Sequence, residues 1–200
     1  MNIPYHHGHL REALVESAMA TARLEGPDAV ILRAVTRDAG VSPNAAYRHF
    51  ADRDQLIEVI ASRCRENLAE LIETRLAQMT VGPDPVVTAW ERLRVAGRAY
   101  VEFAVTEPGW FRTAFGFSRS TELPTASSQR NPFTLLNNTL DELVAVGALT
   151  VERRARAEYA AWSGVHGIAT LLVDGPLRGL PTDERAPIVG KVIEVIIAGL

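Results

Sequence analysis

The chain has 200 residues, 47% of them hydrophobic, so it can bury a substantial core and is not a disordered protein. Its one cysteine, Cys64, excludes an intramolecular disulfide, and no apolar run approaches the roughly 20 residues that cross a bilayer. The net charge is -3, and the first 53 residues contain equal numbers of arginines and acidic residues, so nucleic-acid binding would depend on where the charges lie. We expect a cytoplasmic protein with no membrane partner.

Hydrophobic periodicity predicts helix almost throughout, and therefore an all-α fold of about nine helices. The predicted helices cover about 9–24, 32–39, 43–50, 52–79, 86–105, a short stretch after Pro108, 132–146, 151–172 and 182–198. The Pro- and Gly-containing break at 80–85 marks the expected domain boundary. We predict an N-terminal domain over residues 1–53, a connecting fourth helix over 52–79, and a C-terminal domain over 84–200.

Several residues predict where these helices begin and end. Gly26-Pro27 ends the first helix, and Ser42-Pro43 begins the third with a hydroxyl cap followed by proline. Asp52 caps the fourth helix, with Gln55 as its reciprocal partner. The segment from Ser118 to Asn131 is rich in Ser, Thr, Pro and Gln and is predicted to be a mobile loop.

The segment LRAVTRDAGVSPNAAYRHF, residues 32–50, follows the plan of a helix-turn-helix. Two short helices flank the glycine at position 40, which permits the left-handed backbone of the turn. Apolar residues at both helices and at the turn face inward, and polar residues face outward. These inward residues are Leu32, Val35, Ala39, Val41, Ala46 and Phe50.

In a helix-turn-helix, the N-terminal end of the second helix enters the major groove. Asn44 can read adenine, and the Ala45 methyl can contact a thymine methyl. Tyr47, Arg48 and His49 suit phosphate contacts, and Arg53 lies beside another helix N-terminus. The full set of predicted DNA-binding residues is Thr36, Arg37, Ser42, Pro43, Asn44, Ala45, Tyr47, Arg48, His49 and Arg53.

Residues 9–56 resemble the DNA-binding domain of the TetR family of regulators. The resemblance lies in LRAVTRDAGVS, then AYRHF, then DRDQLI opening a long fourth helix. It implies a nine-helix homodimer in which the fourth helix links the two domains, the last two helices form the dimer interface, and the middle helices line an effector pocket. It also implies a repressor that releases a palindromic operator when a small molecule binds.

Two features depart from the family pattern. Ile31 stands where relatives often have a hydroxyl cap, and Ala45-Ala46 stands where many have Thr-Leu, which leaves fewer polar groups for base contacts.

In the C-terminal half, EPGWFRTAFG and WSGVHGIATLLVDGPL resemble the family's subgroup with a Trp-His-Gly type C-terminal domain. That resemblance implies an architecture but no particular effector.

Aromatic and polar residues of the C-terminal half are the candidates for the effector pocket, because such pockets are mostly apolar with a few polar groups. Trp110, Phe111 and Phe115 are equally compatible with a core position, and at least one of Tyr100 and Phe103 is expected to reach the pocket. Trp162 and His166 share one helix face, where a core tryptophan beside a hydrogen-bonded histidine is the favoured interpretation. The predicted ligand-binding residues are Tyr100, Phe103, Trp110, Phe111, Phe115, Trp162 and His166.

The last two predicted helices also support a dimer on physical grounds. The helix over 151–172 contains many small residues, which permit close helix approach, and the helix over 182–198 is rich in Ile and Val. Together they offer more apolar surface than one small domain needs to bury, which indicates a partner.

Two other classes of function differ in how well the sequence supports them. A small-molecule binding or sequestering protein with a vestigial helix-turn-helix is compatible with the balanced charge of the first 53 residues and with the few polar groups of the second helix of the helix-turn-helix. An enzyme has no support, because Ser163 lacks the G-x-S-x-G context of a nucleophile. His6, His7 and His9 lack carboxylate or cysteine partners for a metal and fit simple disorder better, or a flexible arm that touches DNA. We expect no cofactor, metal or catalytic residue.

Overall fold

The computed structural model describes the fold of residues 7–116 and 130–200, without the side chains of residues 7–9 and 43. Within those ranges every regular element is helical, with ten α-helices and one short 3-10 turn at Pro27–Ala29. The all-α prediction is therefore confirmed. Of the predicted histidine arm, His6 lies outside the described residues, whereas the backbone of His7 and His9 belongs to the first helix. The predicted loop up to residue 129 and the Pro43 side chain also lie outside the described residues.

The helices follow the predicted order closely. The N-terminal half contains α1 (His7–Glu25), α2 (Leu32–Asp38), α3 (Pro43–Ala46), α4 (Arg53–Ala77) and α5 (Pro85–Thr106). The remaining helices are α6 (Pro108–Gly116), α7 (Pro132–Ala145), α8 (Val151–Arg154), α9 (Ala157–Val173) and α10 (Thr182–Gly199).

Predicted helix caps are present at the start of α4. The Asp52 carboxylate accepts a hydrogen bond of 2.8 Å from the Gln55 backbone N–H. The Gln55 side chain accepts one of 2.7 Å from the Ala51 N–H, one residue before the predicted partner. Gly26 directly follows the last residue of α1. Its φ of 88° is a left-handed backbone conformation that favours glycine.

The recognition helix is shorter than predicted. The sequence suggested a helix to about Phe50, but α3 ends at Ala46 and a turn follows. The backbone N–H groups of His49 and Phe50 both donate to the Ala46 carbonyl, at 2.8 and 2.9 Å. This turn lets Phe50, which is fully buried, insert into the core.

The predicted helix over 151–172 is interrupted. Arg156 adopts a left-handed backbone conformation with a φ of 64°, which separates α8 from α9. Local helix propensity favours an unbroken helix here, so contacts with residues elsewhere in the chain must determine where the helix breaks. The Arg154 guanidinium donates to Asp141 at 2.7 Å and to Glu158 at 2.7 Å, and these bonds stabilise the break.

Two compact units emerge from the contacts. The first unit contains the chain up to Cys64 together with the segment from Glu107 that includes α6. The second contains the chain from Arg65 to Thr106 and helices α7 to α10. The C-terminal domain predicted over 84–200 instead included the segment that forms α6.

The core of the first unit is built on the inward face predicted for the helix-turn-helix. Leu14, Ala18 and Ala22 of α1 are fully buried against Val35, Phe50 and the apolar side of α4. The α4 residues in this core are Leu56, Ile57 and Ile60.

Helix α6 belongs to this unit because it packs closely on the last turns of α1. A Cβ atom at Gly109 would lie 2.2 Å from the Ala22 carbonyl oxygen, so only glycine allows the approach. The Trp110 Nε1 donates to the Met19 carbonyl at 3.0 Å. The Arg23 guanidinium forms an ion pair with Glu107 and lies 4.8 Å above the Trp110 ring.

The core of the second unit joins α5, α7 and the chain's last residue. Ala89, Leu93, Leu140 and Leu143 are buried together with Leu200. Helix α10 lies close to α9 at Gly164, since a Cβ atom at this α9 position would lie 2.5 Å from Cδ1 of Ile196 on α10.

Gly109→Ala should destabilise the first unit, because the new methyl group would overlap two backbone carbonyls that cannot rotate away. We expect the free energy of unfolding, measured by urea denaturation, to fall by about 3 kcal/mol. Gly116→Ala in the same helix is the matched control, because a Cβ atom there meets nothing within 4 Å. Equal stabilities of the two variants would contradict the close approach.

Candidate DNA interface and effector site

The turn between α2 and α3 is held in one conformation by its backbone. Gly40 has a φ of 69°, and the Val41 N–H donates to the Thr36 carbonyl at 2.9 Å. Val35 and Ala46, one on each helix, are fully buried. The two helices therefore present their outer residues on a fixed scaffold.

Several predicted DNA-binding residues are exposed on that scaffold. Asn44 lies on α3, and Tyr47 and Arg48 follow it in the turn, with Tyr47 52% exposed. Arg37 on α2 and Ser42 before α3 are exposed as well. This stretch combines an amide, a phenol and guanidinium groups, the chemistry that reads bases and binds phosphates. Ala45 and His49 are only partly exposed.

Two other predicted contact residues have side chains that bond to backbone carbonyls of the same unit. Thr36 is 1% exposed, and its hydroxyl donates to the Arg33 carbonyl at 2.9 Å, so its side chain packs in the core. Arg53 donates to the Val30 carbonyl at 2.7 Å and the Pro27 carbonyl at 2.5 Å. These bonds join the start of α4 to the 3-10 turn, a structural role that the sequence did not indicate.

In the second unit, three of the predicted ligand-binding residues meet. The Trp162 Nε1 donates to the Tyr100 hydroxyl at 3.3 Å, and the same hydroxyl lies 2.9 Å from His166 Nδ1. The Phe133 ring packs edge-on against Trp162 with centroids 5.6 Å apart. We call Tyr100, Phe133, Trp162 and His166 the aromatic cluster.

Burial shifts the ionisation of two members of the aromatic cluster. It raises the pKa of Tyr100, which the hydrogen bond from Trp162 opposes only in part. It also lowers the pKa of His166 below the ordinary histidine value. Both shifts favour the neutral form, so both side chains take part in hydrogen bonding as uncharged groups near pH 7.

The other predicted ligand-binding residues do not join this cluster. Trp110, Phe111 and Phe115 belong to the first unit, where the Phe111 and Phe115 rings lie 5.3 Å apart. Phe103 lies on α5 and is buried. Phe133 was not among the predicted ligand-binding residues. The sequence feature that could have indicated it is its position two residues after Asn131, whose side chain caps the start of α7.

Comparison with known families identifies the chain. The family model described as "Bacterial regulatory proteins, tetR family" matches residues 14–60. The model described as "Tetracyclin repressor-like, C-terminal domain" matches residues 93–195, which is more than half of the chain. The chain belongs to the TetR family. It is a transcriptional regulator with a helix-turn-helix DNA-binding domain, as the sequence resemblance implied.

Individual relatives agree with this assignment. The HTH-type transcriptional regulator BetI of Rhizobium meliloti (strain 1021) is 29% identical over 113 residues, or 56% of this chain and 54% of BetI. The chain thus spans about half the length of that curated relative. A structure of a protein with unknown function from Rhodococcus sp. RHA1 is 30% identical, with a TM-score of 0.74 over 100% of this chain and 99% of that one.

One structure with the same fold contains a small molecule. It is the transcriptional regulator FadR from Bacillus subtilis in complex with stearoyl-CoA, with a TM-score of 0.66 and 12% identity over 94% of this chain and 98% of that one. In the TetR-family chain described here, none of the helices in the described ranges is long and apolar enough to cross a membrane.

Thr36→Val tests whether Thr36 contacts DNA, because valine keeps the buried shape and removes only the hydroxyl. We expect operator affinity, measured by fluorescence anisotropy, to stay within about twofold of wild type, since the hydroxyl already donates to a backbone carbonyl. Thermal unfolding provides the control for folding. A large loss of affinity with unchanged stability would show that Thr36 reaches DNA in the complex.

Proposed function

We propose that this TetR-family regulator is a homodimeric repressor that binds a roughly palindromic operator and releases it when a small molecule binds. The observation that carries the proposal is the exposed set Asn44, Tyr47 and Arg48, presented by α3 and the turn after it on a scaffold whose inner residues Val35 and Ala46 are fully buried. A two-fold dimer presents two such sets to half-sites about one helical turn apart or a multiple of it.

Asn44, near the N-terminal end of α3, is the residue suited to read a base edge, and Tyr47 and Arg48 are suited to the phosphates. Because α3 ends at Ala46, few side chains can enter the groove. We therefore expect phosphate contacts to supply a large share of the affinity, which makes binding strongly dependent on salt.

The dimer proposal is supported by exposed apolar residues on the last two helices. Leu171 on α9 is 42% exposed, and Val195 on α10 is 59% exposed. Small residues of α9 are also exposed, including Ser163 and Gly167. A surface of this kind is typical of a helix interface between subunits.

The effector proposal is supported by the aromatic cluster of the second unit, which combines aromatic rings with a few polar atoms. Regulation then requires a coupling free energy between effector and operator. Because such coupling is reciprocal, operator DNA must weaken effector binding by the same factor as effector weakens operator binding.

Arg48→Ala tests the DNA interface, with operator fragments selected from genomic DNA by the wild-type protein. We expect affinity to fall about tenfold and the slope of log affinity against log salt to decrease by about 1 per protomer, because one phosphate contact is lost. Scrambled DNA sets the nonspecific level. Arg178→Ala, which removes an exposed arginine from the second unit, should leave both quantities unchanged.

Two outcomes would contradict the assignment of the DNA interface. Wild-type binding that equals binding to scrambled DNA at every salt concentration, with no fragment selected, would favour the sequestering protein with a vestigial helix-turn-helix. The shortness of α3 is the observation that supports that second candidate. Specific binding that survives Arg48→Ala unchanged would instead show that other residues form the interface.

The double variant Leu171→Glu, Val195→Glu tests the dimer interface. Two-fold symmetry would place the introduced carboxylates of both protomers in one interface, where their desolvation and repulsion oppose association. We expect a dimer for wild type and a monomer for the variant in size-exclusion chromatography with light scattering. Val87→Glu on α5, where valine is 62% exposed, is the matched control and should remain dimeric.

A further inference from the structure

Arg11, near the start of α1, is held close to the turn that follows α3. Its guanidinium carbon lies 5.3 Å from the centre of the Phe50 ring, which is within the range of a cation–π contact. Phe50 is buried in the core of the first unit, whereas Arg11 is exposed. The buried ring therefore gives an exposed arginine a fixed support. Arg11 was not among the residues predicted to bind DNA.

Phe50 connects Arg11 to the proposed DNA interface. It follows Arg48 by two residues, so the Cα atoms of Phe50 and Arg48 lie within about 8 Å of each other. The N–H groups of His49 and Phe50 both donate to the Ala46 carbonyl, which fixes this turn against the end of α3. The position of the Arg11 guanidinium is thus tied to the segment that carries Arg48.

The charge of Arg11 is not paired with a carboxylate in the part of the chain that the structure describes. No carboxylate oxygen of those residues lies within 4.0 Å of its guanidinium nitrogens. The neighbouring Glu12 instead pairs with Arg63 at 3.0 Å. Arg23, the other α1 arginine over an aromatic ring, differs because it forms an ion pair with Glu107. Arg11 therefore retains its full charge for an anionic partner.

The contact with the ring leaves the guanidinium able to bind such a partner. A cation–π contact depends on the positive charge and not on a hydrogen-bond acceptor, so most of the N–H donors stay available. Those donors match the oxygens of a phosphate, which arginine binds in a bidentate way. Because the ring already restricts where the guanidinium lies, less side-chain freedom is lost when a phosphate binds.

We propose, building on the DNA interface proposed above, that Arg11 binds a phosphate of the operator and that Phe50 is the residue that positions it. This phosphate differs from the one proposed for Arg48, and the contact extends the interface from α3 onto α1. It carries no sequence information itself, but it determines how the helix-turn-helix is oriented on the duplex.

Arg11→Gln tests the contact in the full-length protein, on operator fragments selected by the wild type. We expect affinity in fluorescence anisotropy to fall about tenfold and the slope of log affinity against log salt to decrease by about 1 per protomer. Arg23→Gln is the matched control, because Arg23 is also an exposed α1 arginine over a ring. Its charge is already paired, so the control should leave the slope unchanged. An unchanged slope for Arg11→Gln would contradict the proposal.

Ethylation interference locates the phosphate on the operator. DNA that is ethylated at random phosphates is separated into bound and unbound fractions, which identifies each phosphate whose ethyl group blocks binding. We expect one phosphate in each half-site to block binding of wild type but not of Arg11→Gln, and to differ from the phosphate that Arg48→Ala identifies. If Arg11→Gln keeps the complete wild-type pattern, Arg11 does not bind a phosphate, even if its affinity falls.

The positioning role of Phe50 is tested with Phe50→Leu in two backgrounds. In the wild-type background, loss of the ring should weaken operator binding about threefold. In the Arg11→Gln background it should have little effect, because the arginine that the ring holds is already absent. A purely structural role of the ring would weaken binding equally in both backgrounds.

Arg11→Lys makes the same distinction without changing the core, in case Phe50→Leu fails to fold. Lysine keeps the charge and should keep the wild-type salt slope, but it lacks the planar group with several donors. We expect its affinity for the operator to lie about two- to fivefold below that of wild type. Equal affinities of Arg11→Lys and wild type would show that charge alone matters and that the ring does not position Arg11.

The results distinguish failure of this inference from failure of the proposed function. Specific binding that depends on Arg48 but not on Arg11 would overturn this inference and leave the proposed regulator intact. Wild-type binding no stronger than binding to scrambled DNA would overturn both. Thermal unfolding of every variant shows whether a loss of affinity reflects a loss of folded protein.

Discussion

The first unit depends on the absence of a side chain at position 109. At that point the α6 backbone approaches the last turn of α1 so closely that a Cβ atom would meet two carbonyl oxygens. The approach brings Trp110 within hydrogen-bonding distance of Met19 and sets Glu107 beside Arg23. Arg23 then covers the Trp110 ring, so an ion pair and a cation–π contact both follow from one glycine. A helix distant in sequence thereby becomes part of the unit that contains the helix-turn-helix.

The two candidate sites differ in how the fold prepares them. On the DNA side, buried apolar residues hold the scaffold, and most of the predicted DNA-binding groups are exposed to solvent. In the aromatic cluster the polar atoms are themselves partly buried and hydrogen-bonded to one another. Exposed functional groups suit a large charged partner such as DNA, whose interfaces with proteins keep ordered water. Partly buried polar atoms suit a small molecule that the protein encloses.

Patterns of short range predicted much of the fold. The helices, the glycine at the α2–α3 turn and the Asp52 cap follow from periodicity and local chemistry, and all are present in the structure. The exposure of Asn44, Tyr47 and Arg48 followed from the same patterns. Interactions between residues far apart in sequence were not predictable in this way. The ion pairs of Arg154, which stabilise the break before α9, and the contacts of α6 with α1 are of that kind.

The same reason explains the residues whose positions were not predicted. Thr36 and Arg53 have polar side chains in a segment whose polar residues were predicted to face DNA, so their type alone suggested contact. Only the folded chain shows that their polar atoms are already bonded to backbone carbonyls. The three meeting residues of the aromatic cluster were foreseen as individuals, but not the order of their hydrogen bonds.

The placement of the three tryptophans gives each unit its own optical probe. Trp110 lies in the first unit with its indole N–H bonded to a backbone carbonyl, and Trp90 and Trp162 lie in the second. Indole emission changes when such bonds and burial are lost, so replacing Trp90 and Trp162 by phenylalanine would leave fluorescence that reports on the DNA-binding unit alone. The unfolding of the first unit can thus be followed by its own fluorescence in the intact protein, without cutting the chain or attaching a dye.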